Sequence, residues 1–248
     1  MTFFPSTRPD QATGAQSFRD AAEEMRGVRY NTLETHLKGE SGTFWAWMRP
    51  GSKPCFTPEL LTDIVAQQEL LRGALSPSRR ERGAQAARWY VMGSRIPGIF
   101  NLGGDLALFA EKIRAQDEMA LRQYGYLCVE AIYGNSEAFQ APVVTIALVQ
   151  GDALGGGFEC ALAFDVIVAE RSAKFGLPEI LFNLFPGMGA YSFLSRRLGP
   201  VQAERMCPSS NDLRPLGVLC NGASGPSAVK VRLRFGDASS GGAGWFCA

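Results

Sequence analysis

Apolar positions along the chain fall into two kinds of block. Runs of strand length occur at Phe44-Trp45-Ala46-Trp47-Met48, closed by the turn signature Arg49-Pro50-Gly51, and at Trp89 to Val91, Val143 to Val149 and Val166 to Val168. Elsewhere apolar residues recur at spacings of three and four. Leu60, Leu61, Ile64, Val65, Leu70 and Leu71 predict a helix with Thr57 or Thr62 as its cap. Asp105 reads as the N-cap of one long helix carrying Leu106, Phe109, Ile113, Leu121, Tyr124 and Cys128, with some drift of its apolar face. A shorter helix follows Gly157 and runs to Ala163. Strands alternating with helices predict an α/β fold with parallel or mixed pairing, and no internal repeat is visible.

The two ends differ from this middle. Residues 1–28 are polar, with Phe18, Ala22 and Met25 as the apolar stripe, and read as a poorly ordered N-terminal segment. Residues 29–206 read as one domain. From Cys207 to Ala248, 16 of 42 residues are Gly, Ser or Pro, and Glu, Ile, Thr and Gln are absent. Such a stretch has little apolar surface to offset its ordering entropy, so 207–248 is expected to be a disordered tail.

Composition then narrows the chemistry. Lys plus Arg is 25 and Asp plus Glu is 24, a net charge of +1, which argues against a nucleic-acid partner. No apolar run is long enough to span a bilayer, and no secretion signal is apparent, so a cytoplasmic location is expected. The six cysteines show no C-x-x-C spacing and no partner histidines, so no metal site is expected. His36, the single histidine, lies in a polar stretch and is expected at the surface. Proton transfer therefore falls to carboxylates. The arginines at 79, 80, 82 and 88 read as a solvated edge, or alternatively as a docking patch for an acidic carrier protein.

Two groups of residues stand out. Gly155-Gly156-Gly157 joins a predicted strand to a helix, where the backbone can turn sharply and bring N–H groups close to a ligand. A tight turn or close helix packing explains the same glycines. Neither the phosphate-loop nor the G-x-G-x-x-G spacing is present. Glu159 and Glu179 each sit among apolar neighbours, so each is either paired or perturbed in its proton affinity, unless it is a half-exposed carboxylate at an element end.

Taken in order, Asn101-Leu102-Gly103-Gly104-Asp105-Leu106, Val149 to Glu159, Phe175-Gly176-Leu177-Pro178-Glu179 and Phe185-Pro186-Gly187-Met188-Gly189 resemble the enoyl-CoA hydratase/isomerase (crotonase) superfamily. Phe100 to Phe109 and Leu181 to Phe193 are similar to its diffusible signal factor synthase branch, which makes cis-2-unsaturated fatty acids. The resemblance runs over about residues 89–206. It implies a spiral of ββα units, with the C-terminal trimerisation helices of relatives missing here. It also implies a thioester oxyanion held by the N–H groups of Gly104 and Gly156, and catalytic Glu159 and Glu179. Leu102, Gly103, Leu154, Gly155, Leu177, Pro186, Gly187 and Met188 would surround the substrate. Glu179 would serve the α carbon, and Glu159 the β-hydroxyl or a water.

Departures from the family lie at Ala107, where many hydratases carry a lysine, and at Ala190-Tyr191-Ser192 in place of Gly-Gly-Thr. Both fit the signal-synthase branch, which acts on acyl carrier protein thioesters. The implied reaction is dehydration of a 3-hydroxyacyl thioester on acyl carrier protein or CoA, then hydrolysis to the free acid, with no cofactor. A generic enoyl-CoA hydratase is the first alternative. An inactive homologue that only binds a partner, such as a sensor kinase, is the second. Relatives form homotrimers or hexamers. Asp105 is expected to be structural, and Cys160 lacks the histidine that would make it a nucleophile.

Overall fold

Two strands of opposite direction start the large sheet. β1 (Leu33–Lys38) and β2 (Thr43–Met48) pair in antiparallel register, from Leu33 opposite Met48 to Lys38 opposite Thr43, about a turn in which Gly42 adopts φ 62°. The computed structural model describes residues 21–49, 51, 53–76, 87–207 and 245–247. After β2 come α2 (Pro58–Ala74), β3 (Trp89–Ser94) and β4 (Gly98–Asn101), then α3 (Leu106–Arg114) and α4 (Glu118–Ser136). The chain continues through β5 (Val144–Val149), β6 (Gly151–Leu154) and α5 (Gly156–Leu162) to β7 (Val166–Glu170) and β8 (Phe175–Gly176). A 3-10 turn (Glu179–Phe182), α6 (Ala190–Leu198), α7 (Pro200–Met206) and β9 (Trp245–Cys247) complete it.

The sheet order shows how the chain winds. The large sheet runs β1-β2-β3-β5-β7-β9 and the small one β4-β6-β8. Each pair β3/β4, β5/β6 and β7/β8 gives its first strand to the large sheet and its second to the small one, with parallel pairing between successive turns. This is the ββα spiral expected of the crotonase-like α/β fold. Its alternating layers enclose an aromatic centre in which Tyr90 stacks near Phe44 and Phe164 and meets Phe139 edge-on at 4.8 Å. The Tyr90 hydroxyl donates to Gln67 Oε1 at 2.7 Å, so this buried phenol keeps a partner.

The structure corrects several expectations. Residues 21–27, within the segment expected to be poorly ordered, are helical (α1) and bury Ala21, Ala22 and Met25 in the core; residues 1–20 lie outside the described residues. The single long helix after Asp105 is two. Gln116 takes φ 55° between them, and Asp117 caps α4 by accepting from Ala120 N–H at 3.1 Å. That break is the source of the drift in the apolar face. Thr57 is the cap of α2, accepting from Leu60 N–H at 3.2 Å.

Of the expected tail, Trp245–Cys247 pairs antiparallel with β7, while residues 208–244 lie outside the described residues. So do Arg79, Arg80 and Arg82 of the arginine-rich stretch. His36 is exposed on β1, as expected. Among the described residues no helix is long and apolar enough to cross a membrane.

Candidate active site

Three parallel strands of the small sheet end side by side, and each hands the chain to one part of a shared cavity. β4 leads into Leu102-Gly103-Gly104, β6 into Gly155-Gly156, and β8 into Leu177-Pro178-Glu179. Clefts at the carboxyl ends of parallel strands are where α/β folds gather ligands.

The first loop is fixed from below. Asn101 is buried, and its Oδ1 accepts from Gly103 N–H at 2.8 Å. The Gly103 carbonyl accepts from Phe56 N–H at 2.7 Å. Tyr124 reaches in from α4: its hydroxyl donates to the Phe56 carbonyl at 2.6 Å and accepts from Asp105 N–H at 3.0 Å. Asp105 accepts from Leu108 N–H as the cap of α3 and pairs with Lys53 at 2.7 Å, which is the structural role expected of it.

The second loop depends on glycine. Gly155 has φ 53°, and a Cβ there would stand 2.7 Å from Glu179 Oε1. A Cβ on Gly157 would collide with the Asn101 carbonyl, and one on Gly103 would lie 2.8 Å from Gly156 N. The two loops thus touch backbone to backbone. Gly156 is the first residue of α5, so its N–H is one of the helix's unused donors.

The two carboxyls are held differently. Glu159, on α5, is 1% exposed, and its Oε1 accepts from Met188 N–H at 2.8 Å and Ala190 N–H at 2.9 Å. Burial raises its pKa, and those backbone donors pull it back. Glu179 heads the 3-10 turn after Pro178. Burial, with a further push from the nearby Glu159 charge, drives it up to about 7, and its Oε2 is buried without a hydrogen-bond partner. Cys160 is fully buried and pushed up to about 12, so it stays a thiol.

Leu102, Gly104, Gly155, Gly156, Glu159 and Glu179 line one cavity of about 210 Å³, together with Gly187 and Met188. The other residues singled out from the sequence stand behind it. Gly103 and Leu154 shape the backbone contact between the loops, Leu177 is packed in the core, and Pro186 is half-buried beside Gly187. Sequence reading missed the apolar remainder of the wall. Leu106, Phe109, Tyr124, Gly125 and Cys128 come from α3 and α4, and Phe182, Leu184 and Phe185 from the segment after Glu179. The helical spacing of Leu106, Phe109, Tyr124 and Cys128 was visible, but it is equally the spacing of a core face.

Comparison with known proteins points the same way. A family profile described as Enoyl-CoA hydratase/isomerase matches residues 66–222, continuing past the 206 at which the motif resemblance stops. The human mitochondrial methylglutaconyl-CoA hydratase is 37% identical over 126 residues, covering 51% of this chain and 35% of that protein. The fatty acid oxidation complex subunit alpha of Acinetobacter baylyi is 36% identical over 124 residues, covering 50% of this chain and 17% of that one. The chain thus spans well under half the length of these curated relatives.

Among solved structures, Pseudomonas aeruginosa DspI superposes with a TM-score of 0.60 at 27% identity, covering 71% of this chain and 65% of that one. An enoyl-CoA hydratase of Geobacillus kaustophilus gives 0.62 at 21% identity, covering 77% and 64%, a likeness of fold.

Proposed function

The chain belongs to the enoyl-CoA hydratase/isomerase family, and on that premise we propose that it adds or removes water across the C2–C3 bond of an acyl thioester. The observation that carries this reading is the convergence of Glu159, Glu179 and the two glycine loops on one mostly apolar cavity. Removing a proton alpha to a thioester moves charge onto the carbonyl oxygen. In this reading the N–H groups of Gly104 and Gly156, both residues of the cavity wall, receive it, each worth about 3 to 4 kcal/mol by the measure of known oxyanion holes.

The carboxyls act as a pair sharing one proton. With its backbone donors Glu159 is the member that more readily stays ionised, and Glu179 the one that holds the proton near neutrality. In hydration Glu159 takes a proton from water, the hydroxide attacks C3, and Glu179 delivers its proton to C2. Dehydration reverses every transfer: Glu179 accepts the α proton, the C3–O bond breaks, and Glu159 protonates the departing hydroxide. Bonds and charges balance in both directions, and the oxyanion is stabilised in each.

The finer proposal is that the substrate is a 3-hydroxyacyl thioester, the product of the dehydration is the cis-2-enoyl thioester, and hydrolysis releases the free acid. Its support is the similarity of Phe100 to Phe109 and Leu181 to Phe193 to the signal-synthase branch, with Ala107 in place of lysine. Incubation with 3-hydroxydodecanoyl thioesters of acyl carrier protein and of CoA, read by mass spectrometry, tests both levels. Loss of water supports the dehydratase, and free cis-2 acid supports the finer reading. Enoyl thioester without free acid leaves a plain hydratase. No change in mass with either carrier overturns the proposal.

A further inference from the structure

Helix α4 contains two glycines, Gly125 and Gly134, in positions where glycine weakens a helix. Gly134 has a packing reason, because a Cβ there would run into the Gln68 side-chain amide, which is held by the Ala131 carbonyl and Asn135. Gly125 has none of this kind. No heavy atom lies within 4 Å of where its Cβ would stand, and it is exposed while also lining the cavity.

Its neighbours give that open space a direction. At about 100° per residue, positions 124, 128 and 125 cover one sector of the helix in that order. Tyr124 and Cys128 are buried cavity wall, and Gly125 is the edge of the same wall where the side chain is missing. Tyr124 also meets Phe109, another residue of the wall, edge-on at 5.4 Å. The cavity, at about 210 Å³, falls below the roughly 300–1,000 Å³ of pockets that enclose drug-sized ligands. A short acyl group fits within it, and a long one needs an exit.

We propose that Gly125 is that exit: a slot in the cavity wall through which the tail of a medium- or long-chain acyl thioester leaves, making Gly125 a determinant of chain length. This rests on the acyl-thioester reading of the site. Substituting Gly125 does not threaten the helix, since alanine and leucine are both better helix formers.

The test is calorimetric titration of wild-type protein, Gly125→Ala and Gly125→Leu with butanoyl-CoA and dodecanoyl-CoA, beside turnover of the matching 2-enoyl-CoA pair. Gly125→Leu is expected to lower the ratio of long-chain to short-chain binding, and of long-chain to short-chain kcat/KM, at least tenfold, with Gly125→Ala between, because a side chain at the edge of the wall meets the long tail before it meets the short one. Equal losses for both chain lengths, or no loss for either, overturn the slot and leave the acyl-thioester reading standing. Wild-type protein that neither binds nor turns over any of the four thioesters overturns that reading and the slot with it.

Discussion

The hydroxyl of Tyr124 donates to the carbonyl of Phe56 at 2.6 Å, across 68 residues of chain, and the same oxygen accepts from Asp105 N–H. One phenol thereby ties α4 to both segments that hold the first glycine loop. Tyr124→Phe keeps the ring and its edge-on contact with Phe109 but leaves a buried carbonyl and a buried N–H without that partner. The expected cost is about 1 to 3 kcal/mol of stability, read by denaturant unfolding. Because the loop carries Gly104, the proposed oxyanion donor, kcat should fall several-fold with KM little changed. A variant equal to wild type in both measurements removes this tie from the account.

Glu159→Gln and Glu179→Gln should each lower turnover by at least a hundredfold while thioester binding persists. In the first variant the amide oxygen can still accept from Met188 and Ala190 N–H, so the loop over α5 keeps its anchor and proton transfer is what is lost. Thermal unfolding and ligand titration separate this from misfolding. Near-normal kcat in either purified variant contradicts the roles given to the pair.

Glu179 also makes stability depend on pH in a definite direction. Its folded pKa of about 7 lies above the ordinary carboxyl value of 4.5. Between those values the folded state holds more protons than the unfolded one, so stability falls as pH rises through that window. The Tm of wild type minus that of Glu179→Gln should therefore decline from pH 4.5 to about pH 7 and level off above. A difference that climbs over this range would reverse the sign. Activity should likewise titrate with a group near 7, assigned to the coupled pair and not to one residue alone.

The second glycine loop has little room. A Cβ at Gly156 would lie 2.5 Å from Met188 Sδ, and one at Gly155 would press on Glu179 at a backbone angle that disfavours side chains. Gly156→Val and Gly155→Ala are both expected to reduce kcat/KM at least a hundredfold. The difference lies in the titration: Gly155→Ala should also shift the group near 7, because it displaces that carboxyl. If Gly155→Ala leaves the pH profile in place, the contact between Gly155 and Glu179 has no bearing on the proton.

What could be read from the sequence follows from how local each feature is. The turn at Gly155-Gly156, the cap Asp105 and the strands β2, β3, β5 and β7 are set by neighbouring residues and stand where the pattern put them, and of the two threonines offered as the cap of α2 the structure uses Thr57. β1 escaped notice because its buried positions, Leu33 and Leu37, are four apart and flanked by polar residues, a spacing that one face of a strand and one face of a helix share. The break at Gln116 hid inside an apolar periodicity that both helices share. The donors to Glu159 come from 29 and 31 residues away, so nothing near that glutamate in sequence announces them. The same distance separates Gly125 from any local signal: its meaning depends on a cavity that only the folded spiral encloses.

The spiral fixes the order in which the site comes into being on the ribosome. Gly104 emerges first, then Gly156 with Glu159, then Glu179, each following one small-sheet strand. Synthesis adds about 5–20 residues per second, so Glu159 waits seconds for the amides of Met188 and Ala190 that receive its charge. During that interval a charged carboxyl belongs to a core still lacking the loop that steadies it, and water has to fill that role. A nascent chain halted between residues 179 and 188 would hold both proposed oxyanion donors and both glutamates yet lack either amide that anchors Glu159, so in the proposed mechanism competence waits for that segment.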